Sequence, residues 1–260
     1  MASLAEEDVS FAELATVIER DSVLSGNVLR LVNSALYGRR GTISSIRAAV
    51  SILGMNKLRN FLLGLSVSSL WAKVKTPPDW SMRRFNTHSV ATAILSDSIV
   101  QKARTDYPEG AFAAGLLHDL GRLVIASAMP HDFHRIAALR QQTGRPLPEC
   151  EQELFGFTHP ELSSAALTRW ALPGAIQRAV LHHHTPQLDG DHANTGVHPL
   201  SRILAASDEI ADSLGHVVDP EDEHSARAPG IVLSELGLCA CEEAILASFL
   251  VEMQALQSTF

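Results

Sequence analysis

A His118-Asp119 pair sits inside the apolar run Leu116-Leu117-His118-Asp119-Leu120-Gly121. A carboxylate is costly in such a setting unless a hydrogen bond or an opposite charge compensates it. Further nitrogen and oxygen donors surround the pair in order: His88 before it, then His159, the run His182-His183-His184, and Asp208. Taken singly, each has an ordinary reading. His88 suits a satisfied core or surface histidine. His159, just before Pro160, suits the start of a helix. The histidine run suits a helix C-terminus, where cationic side chains are favoured. Asp208 is harder to dismiss, because it shares a face with Leu204 and Ala205, where a carboxylate wants a partner. The ordered series as a whole reads better as a metal site.

Adjacent residues on a helix point about 100° apart. His118 and Asp119 therefore cannot both face one ligand squarely unless the helix ends there, and Gly121 suggests that it loosens soon after. Such a pair suits a two-metal site, with His118 on one ion and the Asp119 carboxylate reaching both. Mixed imidazole and carboxylate donors favour a divalent iron, manganese or zinc over calcium or magnesium. Two ions about 3.5–4 Å apart clamp a phosphoryl oxygen and generate a hydroxide nucleophile, so a complete site predicts a phosphohydrolase. His131, His134, His192, His198, His216 and His224 lie in polar or loop contexts and are given no role.

The elements that must position these donors read as helices. Ser10-Phe11-Ala12-Glu13 is a capping box opening a helix to about Arg20. Apolar stripes follow at Leu24 to Ala35, closed by Gly38, at Ile46 to Leu53, closed by Gly54, and at Leu58 to Leu65. These form an N-terminal lobe over residues 1–76. Pro77 and Pro78 stop the helix and mark the linker. Residues 77–260 form a second helical lobe. Its helices run over about Ser81–Ala103, Glu109–Ala126, His131–Thr143, Pro148–Phe155, Pro160–Trp170, Pro173–His183 and Pro199–Leu214. Asp219–Gly230 is a polar loop, and a last amphipathic helix spans about Cys241–Leu256. No alternating strand or Asn-Gly hairpin signal occurs, so the fold class is all-α.

Composition narrows the function classes. The chain has 260 residues, 46% hydrophobic and 19% charged, enough for a substantial core. Its formal net charge of −8 argues against a general nucleic-acid or anionic-membrane surface, because phosphate binding needs clustered Lys and Arg. Arg39, Arg40 and Arg47 could form a local basic patch, but scattered solvated charge is the better reading of them. Cys150, Cys239 and Cys241 are odd in number and include no Cys-x-x-Cys spacing, which argues against a zinc ribbon or disulfide framework and fits a reducing, cytoplasmic setting. No run reaches a membrane span of about 18 apolar residues, and no signal peptide is visible.

The donor series resembles the HD superfamily of metal-dependent phosphohydrolases, whose ordered pattern His…His-Asp…His…His-His…Asp is matched by His88, His118-Asp119, His159, His183-His184 and Asp208. The helix Ser201 to Asp212 is similar to the closing helix of HD-GYP cyclic di-GMP phosphodiesterases. Ile18 to Asp21, Leu29 to Gly38, Ile43 to Ile46 and Ala49 to Gly54 resemble the start of an HDOD domain, as do Glu153 to Gly156 with His159 and Trp170 to Pro173 later on. The likeness covers roughly residues 10–215. It implies an HDOD-type helical bundle, an N-terminal lobe plus an HD-like lobe, serving as a bacterial signalling or regulatory module that in most members lacks catalytic activity. Three departures stand against cyclic di-GMP hydrolysis. Thr185-Pro186-Gln187 replaces the Gly-Tyr-Pro element, Arg84 stands where a glutamate is usual, and Arg122 replaces the lysine closing the HD motif.

Two readings follow. In one, the chain is a regulatory module with a retained metal site, and a protein partner or nucleotide ligand binds between the lobes, with the Asn33 to Gly38 turn offering contact groups. In the other, it is a metal-dependent phosphohydrolase acting on a nucleotide or phosphoester. Asp119 then bridges the ions, His88, His118, His159, His183, His184 and Asp208 complete their shells, and Arg122 neutralises phosphate bidentately.

Overall fold

Capping side chains and glycine stops set the helix ends. In α3 (Ile46–Leu53), the Ser45 hydroxyl accepts a hydrogen bond from the Ala48 amide, and Gly54 at φ 77° closes the helix in a conformation that favours glycine. Its buried stripe is Ile46, Ala49, Val50 and Leu53. The computed structural model describes residues 11–33, 43–190, 196–220 and 226–257. Ser10, most of the Asn33 to Gly38 turn, Arg39 and Arg40 therefore lie outside the described residues.

The chain divides into two units, Met1–Ser69 with Leu250–Phe260, and Leu70–Phe249. In the first, α1 (Phe11–Glu19) and α2 (Ser22–Val32) pack on each other and on α3. Leu14, Ile18, Val28 and Val32 are buried there, and so are Leu58 and Phe61 of α4 (Met55–Trp71).

The second unit is built on α5 (Met82–Val100), capped by Ser81, whose hydroxyl accepts from the Arg84 amide. It packs most extensively against α6 (Ala111–Leu117) and α12 (Leu200–Ser213). Buried side chains run along almost all of α5, including Phe85, His88, Ile94, Leu95 and Ile99. Gly115 lets α6 come close, since a Cβ there would stand 2.6 Å from the Ala93 Cα. Then come α7 (Leu120–Ala128), α8 (Pro130–Thr143), α9 (Leu147–Phe155), α10 (His159–Arg169) and α11 (Gly174–Leu181). Ile125, Ile136 and Cys150 of α7, α8 and α9 form a core of their own. The Thr158 hydroxyl and Glu161 carboxylate complete a capping box at the start of α10. After α12 come α13 (Pro229–Glu235) and α14 (Glu242–Gln257).

The fold is all-α. Among the described residues the nearest approach to a strand is one isolated bridge, Thr105 with His198. Two expectations change. The helix read as continuous from Glu109 to Ala126 is broken between Leu117 and Leu120, where Asp119 takes φ −94° and ψ 11°. The loop read as extending to Gly230 ends earlier, because Pro229 and Gly230 open α13; proline fits a first helical turn. Pro108–Ala128 is long and apolar enough to cross a membrane by length and composition, but 78% of its apolar window is buried inside the protein.

Candidate metal centre

The break between α6 and α7 makes an adjacent His-Asp pair usable at one point. His118 ends the first helix and Asp119 starts the second, so both side chains turn to the same buried space. His88 reaches it from α5, His159 from the first residue of α10, His183 and His184 from the turn after α11, and Asp208 from α12.

The donors crowd around the two carboxylates. Asp208 Oδ1 lies 3.1 Å from His88 Nε2 and 3.4 Å from His118 Nε2. Asp119 Oδ1 lies 3.2 Å from His159 Nε2, 3.6 Å from His118 Nε2 and 3.8 Å from His183 Nε2, while its Oδ2 is 3.7 Å from His88 Nε2. Ring nitrogens also face one another: His88 and His118 Nε2 at 3.2 Å, and His159 and His184 Nε2 at 3.0 Å. Separations of this size match pairs of ligands each bonded to one ion at about 2.0–2.2 Å.

The opposite ring nitrogens are committed. Nδ1 of His118 donates to the Gly115 carbonyl at 2.8 Å, that of His88 to the His216 carbonyl at 2.7 Å, and that of His183 to the Val180 carbonyl at 2.6 Å. His159 Nδ1 donates to Glu151 Oε2 at 2.7 Å, and the His159 amide donates to the same oxygen at 2.8 Å. Carbonyls and the ionised carboxylate only accept, so each bond sets a proton on Nδ1 and turns Nε2 to the cluster, where the neutral ring offers a lone pair. His183 Nε2 is buried with no hydrogen-bond partner. A buried imidazole nitrogen facing an ionised carboxylate, His183 Nε2 at 3.8 Å from Asp119 Oδ1, is a donor arrangement that suits a cation.

The electrostatics agree with the donor arrangement. Burial pushes the Asp119 carboxyl up, but His118, Arg122 and His159 outweigh it and hold the group well below the usual carboxylate range. Asp208 is likewise held down by His118 and His88 against the cost of burial. Burial pulls His159 down, yet Glu151 and Asp119 lift it to about 9. His88 rises for the same kind of reason, through Asp208 and Asp212. Burial together with neighbouring imidazoles lowers His183, and lowers His184 to about 4. His184 is nonetheless exposed as a residue, while its Nε2 faces His159 Nε2.

All the candidate ligands, His88, His118, Asp119, His159, His183, His184 and Asp208, meet at this cluster. Arg122 stands behind it. Its Nη1 donates to Asp119 Oδ2 at 3.0 Å and its Nη2 to Asp219 Oδ2 at 2.6 Å. Its guanidinium thus grips a candidate metal ligand rather than standing open for a substrate. Glu151, Asp212 and Asp219 were missed by the sequence reading. Glu151 carries one legible signal, a charge beside buried Cys150 in an otherwise packed turn. Asp212 lies one helical turn after Asp208, with its Oδ1 3.4 Å from His88 Nδ1. Asp219 gives no signal at all.

Comparison with known proteins agrees with the fold. A family model for the HDOD domain matches residues 1–186. An HDOD domain protein of unknown function from Geobacter sulfurreducens has a crystal structure similar to this one, with TM-score 0.73 and 25% identity, over 95% of this chain and 88% of that one. A candidate phosphohydrolase from Shewanella amazonensis SB2B shares the fold with TM-score 0.71 and 24% identity, over 96% and 88% of the two chains. An uncharacterized protein of Treponema pallidum (strain Nichols) is 25% identical over 179 residues, 68% of this chain. The chain spans only 34% of that curated relative's length. With the family model matched over most of its length and the donor series gathered in one buried cluster, the chain belongs to the HDOD domain family.

Proposed function

We propose that this protein is a bacterial signalling or regulatory module that retains an HD-type divalent metal centre. The observation that carries the metal is the set of Nδ1 bonds: His88, His118, His159 and His183 each donate outward and leave Nε2 for Asp119 and Asp208. The donor set divides naturally around Asp119. His88, His118 and Asp208 lie within 3.4 Å of one another on one side, and His159, His183 and His184 group on the other, with His183 also in reach of His118 and Asp208. These residues would hold a divalent metal, two ions if each group takes one and Asp119 serves both, with iron, manganese or zinc favoured by the imidazole-rich ligands. The regulatory role rests on membership in the HDOD family and on Arg122. Because Asp119 and Asp219 both hold that guanidinium, it serves to orient Asp119. A protein partner or a nucleotide is the ligand class in view.

The intact donor set favours a second reading, a metal-dependent phosphohydrolase acting on a nucleotide or phosphoester. Ions bound here would polarise a phosphoryl oxygen and lower the pKa of a bound water. Catalysis is then assigned to Asp119, with Arg122 as its phosphate partner on release from Asp219.

Elemental mass spectrometry on protein purified without added metal or chelator tests the shared claim. About two equivalents of iron, manganese or zinc per chain are expected, falling sharply in Asp119→Ala. No metal, and no uptake on adding it, would remove both readings. With metal present, phosphoester turnover that disappears in Asp119→Ala selects the enzyme, and no turnover selects the regulatory module.

A further inference from the structure

Five histidines turn Nε2 to the metal centre, and four of them are held from outside. His88, His118, His159 and His183 each donate from Nδ1 to a carbonyl or to Glu151, at 2.6–2.8 Å. All four are buried, at 0–1% exposure. His184 differs on both counts. It is exposed, and it stands in the turn past the end of α11. Among the described residues its ring nitrogens meet only His159, Nε2 to Nε2 at 3.0 Å, and no hydrogen bond holds its Nδ1.

An outer partner fixes the orientation of a ligating histidine, and removing one weakens metal binding by about 10–100-fold. His184 lacks such a partner from the start. Its ring is kept in place by contact with two other imidazoles, His183 at 4.1 Å and His159 at 5.0 Å between ring centres. It is therefore the least tied donor of the set and the one next to water. Charge points to the same place. The group His159, His183 and His184 brings three imidazoles and no carboxylate of its own, whereas His88 and His118 share theirs with Asp208. A cation on the histidine side is left with unbalanced charge, which an incoming anion offsets better than a neutral ligand does.

We propose that His184 is the exchangeable donor of the centre, and that an oxyanion of the phosphate class entering from solvent takes its place. This rests on the metal centre proposed above. His184 turns towards water, one nitrogen–metal bond gives way to one oxygen–metal bond, and the four buried histidines stay where they are. The exchange gives two states, one with all five histidines engaged and one with His184 released. A regulatory module needs two such states to report a ligand. A hydrolase needs the same opening for its substrate.

The test is nuclear magnetic resonance of the histidine ring nitrogens in the full chain, loaded with zinc alone and titrated with inorganic phosphate. Metal-bound and free ring nitrogens resonate apart, and elemental analysis of the same sample counts the zinc. The His184 signals are identified by their loss in His184→Ala, or by sequential assignment should that variant fail to fold. With millimolar phosphate, His184 Nε2 is expected to move to the free position while His88, His118, His159 and His183 stay bound and the zinc content holds. At equal zinc content His184→Ala, which offers no competing imidazole, binds phosphate about tenfold more tightly by calorimetry. Phosphate that binds with His184 still engaged, or that releases a buried histidine instead, overturns the exchange, and so does equal or weaker binding by His184→Ala. A zinc-loaded protein that takes up no phosphate at up to about 10 mM also overturns it, and leaves the metal centre standing. A chain that takes up no zinc removes the centre and the exchange together.

Discussion

A single oxygen of Glu151 accepts two hydrogen bonds from His159, one from its backbone amide at 2.8 Å and one from its ring Nδ1 at 2.7 Å. Both residues are buried, Glu151 to 1% exposure. The carboxylate thus caps the first turn of α10 and also aims the imidazole, so helix start and ring orientation are one structural decision.

Glu151→Gln keeps the size of this group and removes its charge. In the metal-loaded protein, loss of such an outer partner of a ligating histidine lowers metal affinity by about 10–100-fold. In the chelated protein the His159 pKa, lifted to about 9 with Glu151 as the main raising charge, drops. Competition with a chromophoric chelator reads the first effect, and histidine ring resonances followed against pH read the second. Unchanged affinity in a folded variant would remove Glu151 from the centre.

The chelator-treated protein has a stability optimum near neutral pH. His159 rises from 6.5 to about 9 on folding, so its contribution is complete below about pH 6.5 and is lost as pH climbs towards 9. His184 falls from 6.5 to about 4, so its contribution is complete above about pH 6.5 and is lost as pH drops towards 4. His88 acts in the sense of His159, and His183 in the sense of His184. Melting temperature measured in chelator across pH 4–9 should therefore pass through a maximum near 6.5. Metal binding needs unprotonated imidazoles, so the gain from added metal grows with pH. A chelated protein that only becomes more stable up to pH 9 contradicts the assignment.

Arg122→Met leaves Asp119 and Asp219 without their shared cation. Removing one partner of a buried ion pair costs about 3–5 kcal/mol, and the Arg122 and Asp119 side chains are 10% and 3% exposed. The more open Asp219 side contributes less. Pairing the change with Asp119→Asn should recover part of the loss, since the stranded charge is then gone. Denaturant melts of the two single variants and the double variant measure the coupling, and strict additivity would mean that the two side chains do not interact.

Gly121→Ala places a Cβ 2.1 Å from the His159 carbonyl oxygen, closer than any real contact allows. The obstacle is backbone, so α7 and α10 must separate. A loss of at least about 1–3 kcal/mol is expected from chemical denaturation, together with weakened metal binding. A variant as stable as the parent would mean that the two helices are less closely apposed.

Most helices were legible because periodicity and caps are local. Ser45 and Gly54 bracket α3, and Thr158 with Glu161 opens α10. The order of His88, His118-Asp119, His159, His183-His184 and Asp208 was legible too, as residue types that are costly in apolar surroundings. What the chain order hid is convergence. The break at Asp119 lies within a run whose composition is uniformly helical, and it turns two neighbouring side chains to one place. Asp219 reaches Arg122 across 97 residues, a distance no periodic pattern spans. The placement of Pro229 and Gly230 in α13 was obscured by the polar stretch preceding them.

The Gly121 amide donates to the Ser163 hydroxyl at 2.7 Å, while its α-carbon abuts the first residue of α10. The missing side chain thereby works as a gauge. It sets the gap between Asp119 and His159, two residues before it and thirty-eight after, at a thickness that one methyl group would exceed. Any natural or engineered variant that keeps every donor but adds that methyl group would carry a full set of ligands at the wrong spacing.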